Sequence, residues 1–246
     1  MRKSKYLILN NFYFNFNNDL TDIEYVKESF KNQNILDLFR FDKMIIIKDK
    51  HFQRGNINFI YLPQNIEKIG EFAFYINQIE ILDLSNCIKL KYIGVDAFNT
   101  NKIKQLKLPN NIETLSFASF AYNKIQNLDL SNCIKLKLID KSCFEHNQIK
   151  QLKLPKNIEI LDKYTFSINK IEILDLSNCI NLKVINENAF EKNPLNEIKI
   201  LDNINIEYYK YLKNDLWTKF VIYYNDTNKK SGDYKLENNE WKWYPL

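Results

Sequence analysis

The stretch from residue 79 to residue 124 reads IEILDLSNCIKLKYIGVDAFNTNK and then IKQLKLPNNIETLSFASFAYNK, and it recurs almost unchanged along the chain. The recurrence keeps a register of 46 residues in two sets of positions: Cys87, Cys133 and Cys179, and Pro63, Pro109 and Pro155. Each module is a 24-residue unit followed by a 22-residue unit. A fixed period of this length predicts a solenoid, in which stacked units share one continuous core.

Six units follow one another, with a partial seventh from Leu195: 57–78, 79–102, 103–124, 125–148, 149–170 and 171–194. The longer units have LxxLxLxxC spacing, as in Ile79, Leu82, Leu84 and Cys87. This spacing resembles the leucine-rich repeat family over residues 57–201. The tail of each unit, in which Asn follows a Phe by three residues, resembles the BspA-like subclass. The shorter units depart from the pattern because PNN or PKN replaces the SNCIKL segment.

The resemblance implies an α/β repeat solenoid, a leucine-rich-repeat horseshoe with a parallel sheet on its concave face. Six strands are expected to form that one sheet: 59–62, 81–84, 105–108, 127–130, 151–154 and 173–176. Residues 1–56 are predicted to be a helical amino-terminal cap, 57–201 the repeats, and 202–246 a carboxy-terminal cap that ends in a β-hairpin.

The two caps are predicted from local patterns. Thr21 to Glu24 has capping-box spacing and predicts a helix near 22–32. The other expected elements are a helical turn over 35–39, a strand over 44–47, a helix over 208–217, a strand over 220–224, and a hairpin of 234–236 with 241–244. The tryptophans of the tail are interpreted as sealing the open end of the solenoid, with a sugar-binding platform as the alternative.

One asparagine recurs in every unit, and its amide can satisfy backbone groups of its own coil and of the next. We predict a structural ladder of six residues: Asn77, Asn101, Asn123, Asn147, Asn169 and Asn193. The repetition in phase explains these residues without any catalytic role.

The cysteines and histidines predict no metal site. The phased cysteines lie two units apart, about 9 to 10 Å at a strand spacing of about 4.8 Å, which is too far for a disulfide. Cys143 takes a small-residue packing position, so all four thiols are predicted to be reduced. His51 and His146 lack ligand spacing to two cysteines. No Gly-rich phosphate loop, GxSxG or HExxH motif is present, so we expect no catalytic residue and no cofactor.

The exposed positions of the expected strands carry alternating charge. The central row is Tyr61, Asp83, Lys107, Asp129, Lys153, Asp175 and Lys199. We interpret it as charges that pair with each other, with Asp129 held between Lys107 and Lys153, and a charged groove for a partner is the alternative. Only Phe59, Tyr61 and Ile81 form an apolar and aromatic cluster, which makes them the candidate site for a protein partner.

The chain has 35 basic and 30 acidic residues that are interleaved, for a net charge of +5. Protein binding is therefore preferred to nucleic-acid binding. The alternative function is binding of a polyanion through Lys102, Lys104, Lys124, Lys150 and Lys170, and it loses support if Glu80 and Glu172 interrupt this set. No signal peptide or membrane span is recognised, so we expect an intracellular, cytoplasmic protein that does not engage a membrane. We also expect it to be a monomer.

Overall fold

The computed structural model describes residues 5–9, 12–16, 35–39, 45–207 and 215–245. Within these ranges the chain forms strands β1 to β20, numbered in chain order, and one helix, α1. Strands β1 (Lys5–Leu9) and β2 (Phe12–Phe16) form an antiparallel hairpin that the sequence did not predict. From Ile35 onward the chain winds into coils whose strands run parallel to one another.

One side of the solenoid, here called the strand face, carries one short strand from each coil. These strands are β3 (Ile35–Asp37), β5 (Phe59–Tyr61), β7 (Ile81–Asp83), β9 (Gln105–Lys107), β11 (Asn127–Asp129), β13 (Gln151–Lys153), β15 (Ile173–Asp175) and β17 (Glu197–Ile200). The central residue of each strand points into the core, and most of its neighbours are exposed. The predicted positions and parallel direction of the strands are confirmed.

The prediction of a single sheet on this face is wrong. The strands pair only two by two, as β3–β5, β7–β9, β11–β13 and β15–β17. The ladder forms after each 24-residue unit and is interrupted after each 22-residue unit, so the alternation in unit length reappears as an alternation in pairing.

A continuous parallel sheet of eight strands lies instead on another side of each coil. Its members have two residues each: β4 (Ile46–Ile47), β6 (Lys68–Ile69), β8 (Tyr92–Ile93), β10 (Thr114–Leu115), β12 (Leu138–Ile139), β14 (Ile160–Leu161), β16 (Val184–Ile185) and β18 (Asn205–Ile206). The second residue of each strand is buried. This sheet, which the sequence did not predict, joins every coil to the next.

The parallel stacking includes residues that the sequence placed in the amino-terminal cap. The helical turn expected over 35–39 is wrong, because Ile35–Asp37 is a strand in which Leu36 pairs with Ile60 and is fully buried. Part of the strand expected over 44–47 is confirmed by β4. Phe52 stacks on Phe74 at 5.2 Å between ring centroids. The helix expected over 22–32 lies outside the described residues.

The carboxy-terminal end is closed by helix α1 (Leu216–Asp226) and a hairpin. The strand expected over 220–224 is wrong, because Trp217, Phe220, Val221 and Tyr224 are buried at helical spacing. Most of the helix expected over 208–217 lies outside the described residues. The hairpin is confirmed as β19 (Gly232–Glu237) with β20 (Glu240–Tyr244), and β19 also pairs antiparallel with β17.

A column of phenylalanine rings runs through the core, one ring from each coil. Ring centroids in successive coils are 5.0 to 5.6 Å apart along Phe52, Phe74, Phe98, Phe120, Phe144, Phe166 and Phe190. The column ends against Trp217, 5.0 Å from Phe190. Both Trp217 and Trp241 are buried, so two of the three tryptophans seal the core.

The asparagine column beside these rings is a hydrogen-bonded ladder. Asn123 donates through Nδ2 to the carbonyls of Phe98 and Phe120, at 2.9 and 3.1 Å, and accepts at Oδ1 from the N–H of Ile103 at 3.0 Å. The other members, Asn77, Asn101, Asn147, Asn169 and Asn193, repeat these three contacts in their own coils. Every rung therefore fastens two coils together.

Candidate interaction surface on the strand face

The charge row on the strand face is built from pairs that stay inside each pair of strands. Lys107 Nζ lies 3.0 Å from Asp83, and Lys153 Nζ lies 3.5 Å from Asp129. Of the two lysines expected beside Asp129, Lys153 pairs with it, whereas Lys107 pairs with Asp83. Their exposed geometry makes each pair worth about 0–1 kcal/mol.

Each aspartate of the row also caps a tight turn that the sequence analysis missed. Asp83 Oδ1 accepts from the N–H of Ser85 at 3.0 Å and from its hydroxyl at 2.5 Å. Burial alone would raise the pKa of Asp83, but the hydrogen bonds from Ser85 and Lys107 outweigh it and hold the pKa below its ordinary value. The repeated Asp-Leu-Ser string is a signal from which this turn could have been inferred.

The end of the charge row differs from its middle. Asp175 accepts from the N–H of Ser177 at 2.9 Å and also from its hydroxyl. Lys199 lies opposite Asp175 in the register of β15 and β17, but its Nζ lies 3.5 Å from Glu197. Strand β19 of the closing hairpin pairs with β17 on its other side, so the last lysine of the row lies beside the hairpin.

A second alternating charge row precedes the strands of the continuous sheet, and the sequence analysis did not single it out. Its members are Glu67, Lys91, Glu113, Lys137, Glu159 and Lys183. Glu159 is bridged on both sides, by Lys137 and by Lys183, each at 3.1 Å. Hydrogen bonds from these two lysines lower the pKa of Glu159. The two rows have opposite phase, so each unit from 79–102 to 171–194 carries one charge of each sign, whereas unit 57–78 has Tyr61 on the strand face.

The three residues proposed for partner binding lie together on the first coils. Tyr61 is 54% exposed and Ile81 is 48% exposed, and Phe59 beside them is half-buried. Phe39, 54% exposed, follows the strand that pairs with that of Tyr61 and extends the cluster. The sequence analysis missed Phe39 because residues 35–56 were assigned to the cap, although ILDL at 35–38 repeats ILDL at 81–84. These four residues are called the apolar patch below.

The lysine set of the alternative function is interrupted by an acid. Lys104 Nζ lies 2.8 Å from Glu80, and the hydrogen bond from Lys104 lowers the pKa of Glu80. Lys102 and Lys124 act on the same carboxylate from nearby. The set is therefore not an unbroken basic strip at this point, and polyanion binding stays an untested alternative.

All four cysteines are free and buried, and none is exposed enough to act as a surface nucleophile. Burial, with the nearby charge of an aspartate, raises the pKa of Cys87 and Cys133 to about 11 and that of Cys179 to about 12. Burial also raises the pKa of Cys143 to about 12, and its sulfur lies 3.2 Å from the Ser119 hydroxyl. A thiol with such a pKa stays protonated at neutral pH.

The stacked coils, the phenylalanine column and the asparagine ladder define a repeat protein of the leucine-rich type, built as a parallel β-solenoid. Residues 21–137 and 91–216 match the family model described as BspA type leucine rich repeat region, in six copies. The chain belongs to this family of repeat scaffolds. No described helix is long and apolar enough to cross a membrane, and the intracellular location and the monomeric state remain predictions.

One solved structure shows the same fold over part of its length. A leucine rich cell surface protein from Faecalibacterium prausnitzii A2-165 is 16% identical with a TM-score of 0.54, over 63% of this chain and 42% of that one. A leucine-rich repeat protein from Bacteroides ovatus ATCC 8483 is 19% identical with a TM-score of 0.34, over 67% of this chain and 55% of that one. This chain thus spans about half the length of these two proteins. The search of curated proteins found no match.

Proposed function

We propose that this chain is a non-enzymatic scaffold that binds a protein partner through its apolar patch. The observation that carries the proposal is the exposure of Tyr61 and Ile81 on neighbouring coils of the strand face. Later coils place charged residues such as Lys107 and Lys153 at the position of Tyr61. Exposed aromatic residues next to aliphatic ones are the anchors that dominate binding energy at protein interfaces.

The residues in the middle of the strand face repeat from module to module, which favours the first coils as the binding site. Gln105 and Lys107 recur as Gln151 and Lys153, and both lysines are already paired with an aspartate of the neighbouring coil. The charge row therefore presents the same paired charges in each module. The first coils, where the pattern is broken by aromatic residues, offer a feature that the repeated modules lack.

The test is capture of a partner from an extract of the source organism by the immobilised full chain, followed by affinity measurement with the purified partner. We expect Tyr61→Ala to weaken binding between about tenfold and a thousandfold, or roughly 1.4–4 kcal/mol. Tyr122→Ala is the matched control, because Tyr122 is also about half exposed but lies outside the patch. Lys153→Ala should have little effect. If Lys153→Ala is the damaging change and Tyr61→Ala is not, the charge row is the binding surface instead.

A further inference from the structure

A groove of about 940 Å³ opens on the strand face between β13 and β15. These two strands occupy successive coils but are not joined by a ladder, because β13 pairs with β11 and β15 pairs with β17. Leu152 at the floor of the groove is partly exposed, whereas Leu128 and Leu174 at the equivalent position are 2% and 1% exposed. The strand face is therefore open to Leu152 at this junction, whereas Ile60 and Leu106, which flank the other interruptions, stay buried.

Backbone polar groups face this opening. Gln151 and Lys153 direct their N–H and C=O groups toward β11, as the bonds from Gln151 to Gln126 and from Leu130 to Lys153 show. Successive residues of a strand direct these groups to opposite edges, so those of Leu152 face β15. By the same alternation, Ile173 and Asp175 face β13. These backbone groups are not part of a ladder at this junction.

The walls of the groove are aliphatic and exposed. Ile134, Ile173 and Ile180 contribute to the lining and are 52%, 55% and 67% exposed. Together with Leu152 and Leu154 they form an apolar surface that would gain from burial by aliphatic side chains, at about 25 cal/mol per Å².

The rim of the groove is basic. Four lysines line it, Lys150, Lys153, Lys156 and Lys170, against two acids, Glu172 and Asp175. Lys153 is paired with Asp129, while the other three lysines form no ion pair within the described residues. The carboxylate of Asp175 is occupied by Ser177. Three lysines against the carboxylates of Glu172 and Asp175 leave the rim with a net positive charge around an apolar floor.

We infer that this groove binds an extended acidic peptide with aliphatic anchor residues. The aliphatic side chains fill the floor, and the carboxylates pair with Lys150, Lys156 and Lys170. Glu172 and Asp175 lie on one wall, so a uniformly negative phosphate chain would meet like charge there. The groove lies several coils from the apolar patch, so this inference does not depend on the proposed function.

The test uses three fluorescein-labelled octapeptides of equal length and fluorescence anisotropy with the full chain. The first alternates Leu and Glu, the second alternates Leu and Lys, and the third contains only Glu. We expect the Leu-Glu peptide to bind at least about tenfold more tightly than either of the others, because only this peptide matches both the apolar floor and the basic rim.

Matched variants locate the binding. The double variant Lys150→Glu with Lys170→Glu should weaken binding of the Leu-Glu peptide by about tenfold or more. Lys104→Glu with Lys124→Glu makes the same change of charge at the positions 46 residues earlier, outside the groove, and should change binding less than about twofold. Ile180→Ser and Ile88→Ser form the corresponding apolar pair, and only the first should weaken binding. All these positions are exposed, and thermal melts establish that each variant is folded.

Any of three results would overturn the inference. These are failure of the Leu-Glu peptide to bind, binding of the all-Glu peptide as tight as that of the Leu-Glu peptide, and an equal loss of binding in the variants outside and inside the groove. The neutral double variant Lys150→Ala with Lys170→Ala provides a second measurement, which should show the same direction with a smaller loss.

Discussion

Single asparagines hold successive coils of this protein together. Each side chain bonds to two phenylalanine carbonyls and one N–H that stacking has buried, and the carbonyls of Phe98 and Phe120 are each shared by the asparagines of two coils. We expect Asn123→Ala to lower the free energy of unfolding by roughly 1–3 kcal/mol, because it leaves the carbonyls of Phe98 and Phe120 and the N–H of Ile103 without this partner. Urea denaturation measures the change.

The control for this variant is Asn110→Ala, which removes an exposed amide from a turn. It should change stability by less than about 0.5 kcal/mol. An unchanged unfolding midpoint for Asn123→Ala would show that water or a shifted coil replaces the ladder.

The buried thiols predict a loss of stability at alkaline pH. An unfolded cysteine has a pKa near 9.0, whereas burial and the charge of Asp129 raise the pKa of Cys133 to about 11 in the folded protein. The folded state therefore holds the proton more tightly, so this contribution is fully present below pH 9 and is lost as the pH rises through about 11. Urea midpoints should fall more steeply over this range in the wild type than in Cys133→Ala.

The same thiols should make thermal stability independent of reductant, since all four are free. A large fall in the melting temperature on addition of a thiol reductant would mean that a disulfide forms and would contradict this assignment. Thiol titration should find the cysteines unreactive in the native protein and all four reactive in denaturant.

At the scale of elements, helix α1 is fastened to the last repeat by one carboxylate. Asp215 accepts from the N–H of Thr218 at 3.1 Å as the N-cap, and from the N–H of Lys192 at 2.9 Å. We expect Asp215→Ala to cost about 0.5–2 kcal/mol of stability. The change removes the acceptor for the N–H of Thr218 at the start of the helix and for the N–H of Lys192 in the last repeat. Denaturation followed by tryptophan fluorescence measures this loss, since Trp217 lies in the first turn.

The variant Asp215→Asn keeps an oxygen acceptor and should retain much of the stability. Asp226→Ala removes an exposed acid from the other end of the same helix and should have little effect. Equal losses for Asp215→Ala and Asp226→Ala would indicate an effect of net charge rather than of the cap.

The same helix shows why local patterns mislead at the ends of a solenoid. Residues 220–224, FVIYY, have the β-branched and aromatic composition of a strand, but the open end of the phenylalanine column needs a broad apolar cover. A helix brings Trp217, Phe220 and Tyr224 onto one face, and this packing outweighs the local preference. For the same reason, pairing with Phe59–Tyr61 makes Ile35–Asp37 a strand.

At the scale of the whole molecule, the sign of the charge in each of the two rows alternates with the length of the unit. Long units carry Asp83 or Asp129 on the strand face and Lys91 or Lys137 before the second sheet, and short units carry the opposite signs. Neighbouring units therefore attract each other only when a long unit lies beside a short one. We expect the rows to act as a device that favours long units stacked beside short ones.

Two deletions test this device. Removing residues 79–124 takes out one whole module and preserves alternation, so the shortened protein should unfold in one cooperative transition. Removing residues 103–124 alone takes out fewer residues but brings Asp83 beside Asp129 and Lys91 beside Lys137. We expect this smaller deletion to be the less stable of the two, by about 1–3 kcal/mol from several like-charge contacts and lost pairing.

The dependence on ionic strength shows how much of the stability difference between the two deletions is electrostatic. Raised ionic strength screens exposed charges, so it should narrow the stability difference between the two deletions. Equal stability of the two proteins at low salt would show that the charge rows do not specify stacking.

The amino-acid sequence by itself determined the solenoid, the strand positions, the asparagine positions and the closing hairpin. The 46-residue period places equivalent residues in register, and a unit of this size buries its apolar side only against its neighbours. Only the tertiary structure decided which strands form a ladder, how far the coils extend toward the amino terminus, and where the strand face opens into a groove. These features depend on the spacing between coils and on what covers the two ends. A repeat pattern fixes which residues face one another, but the distance between them is set by the packing of whole coils.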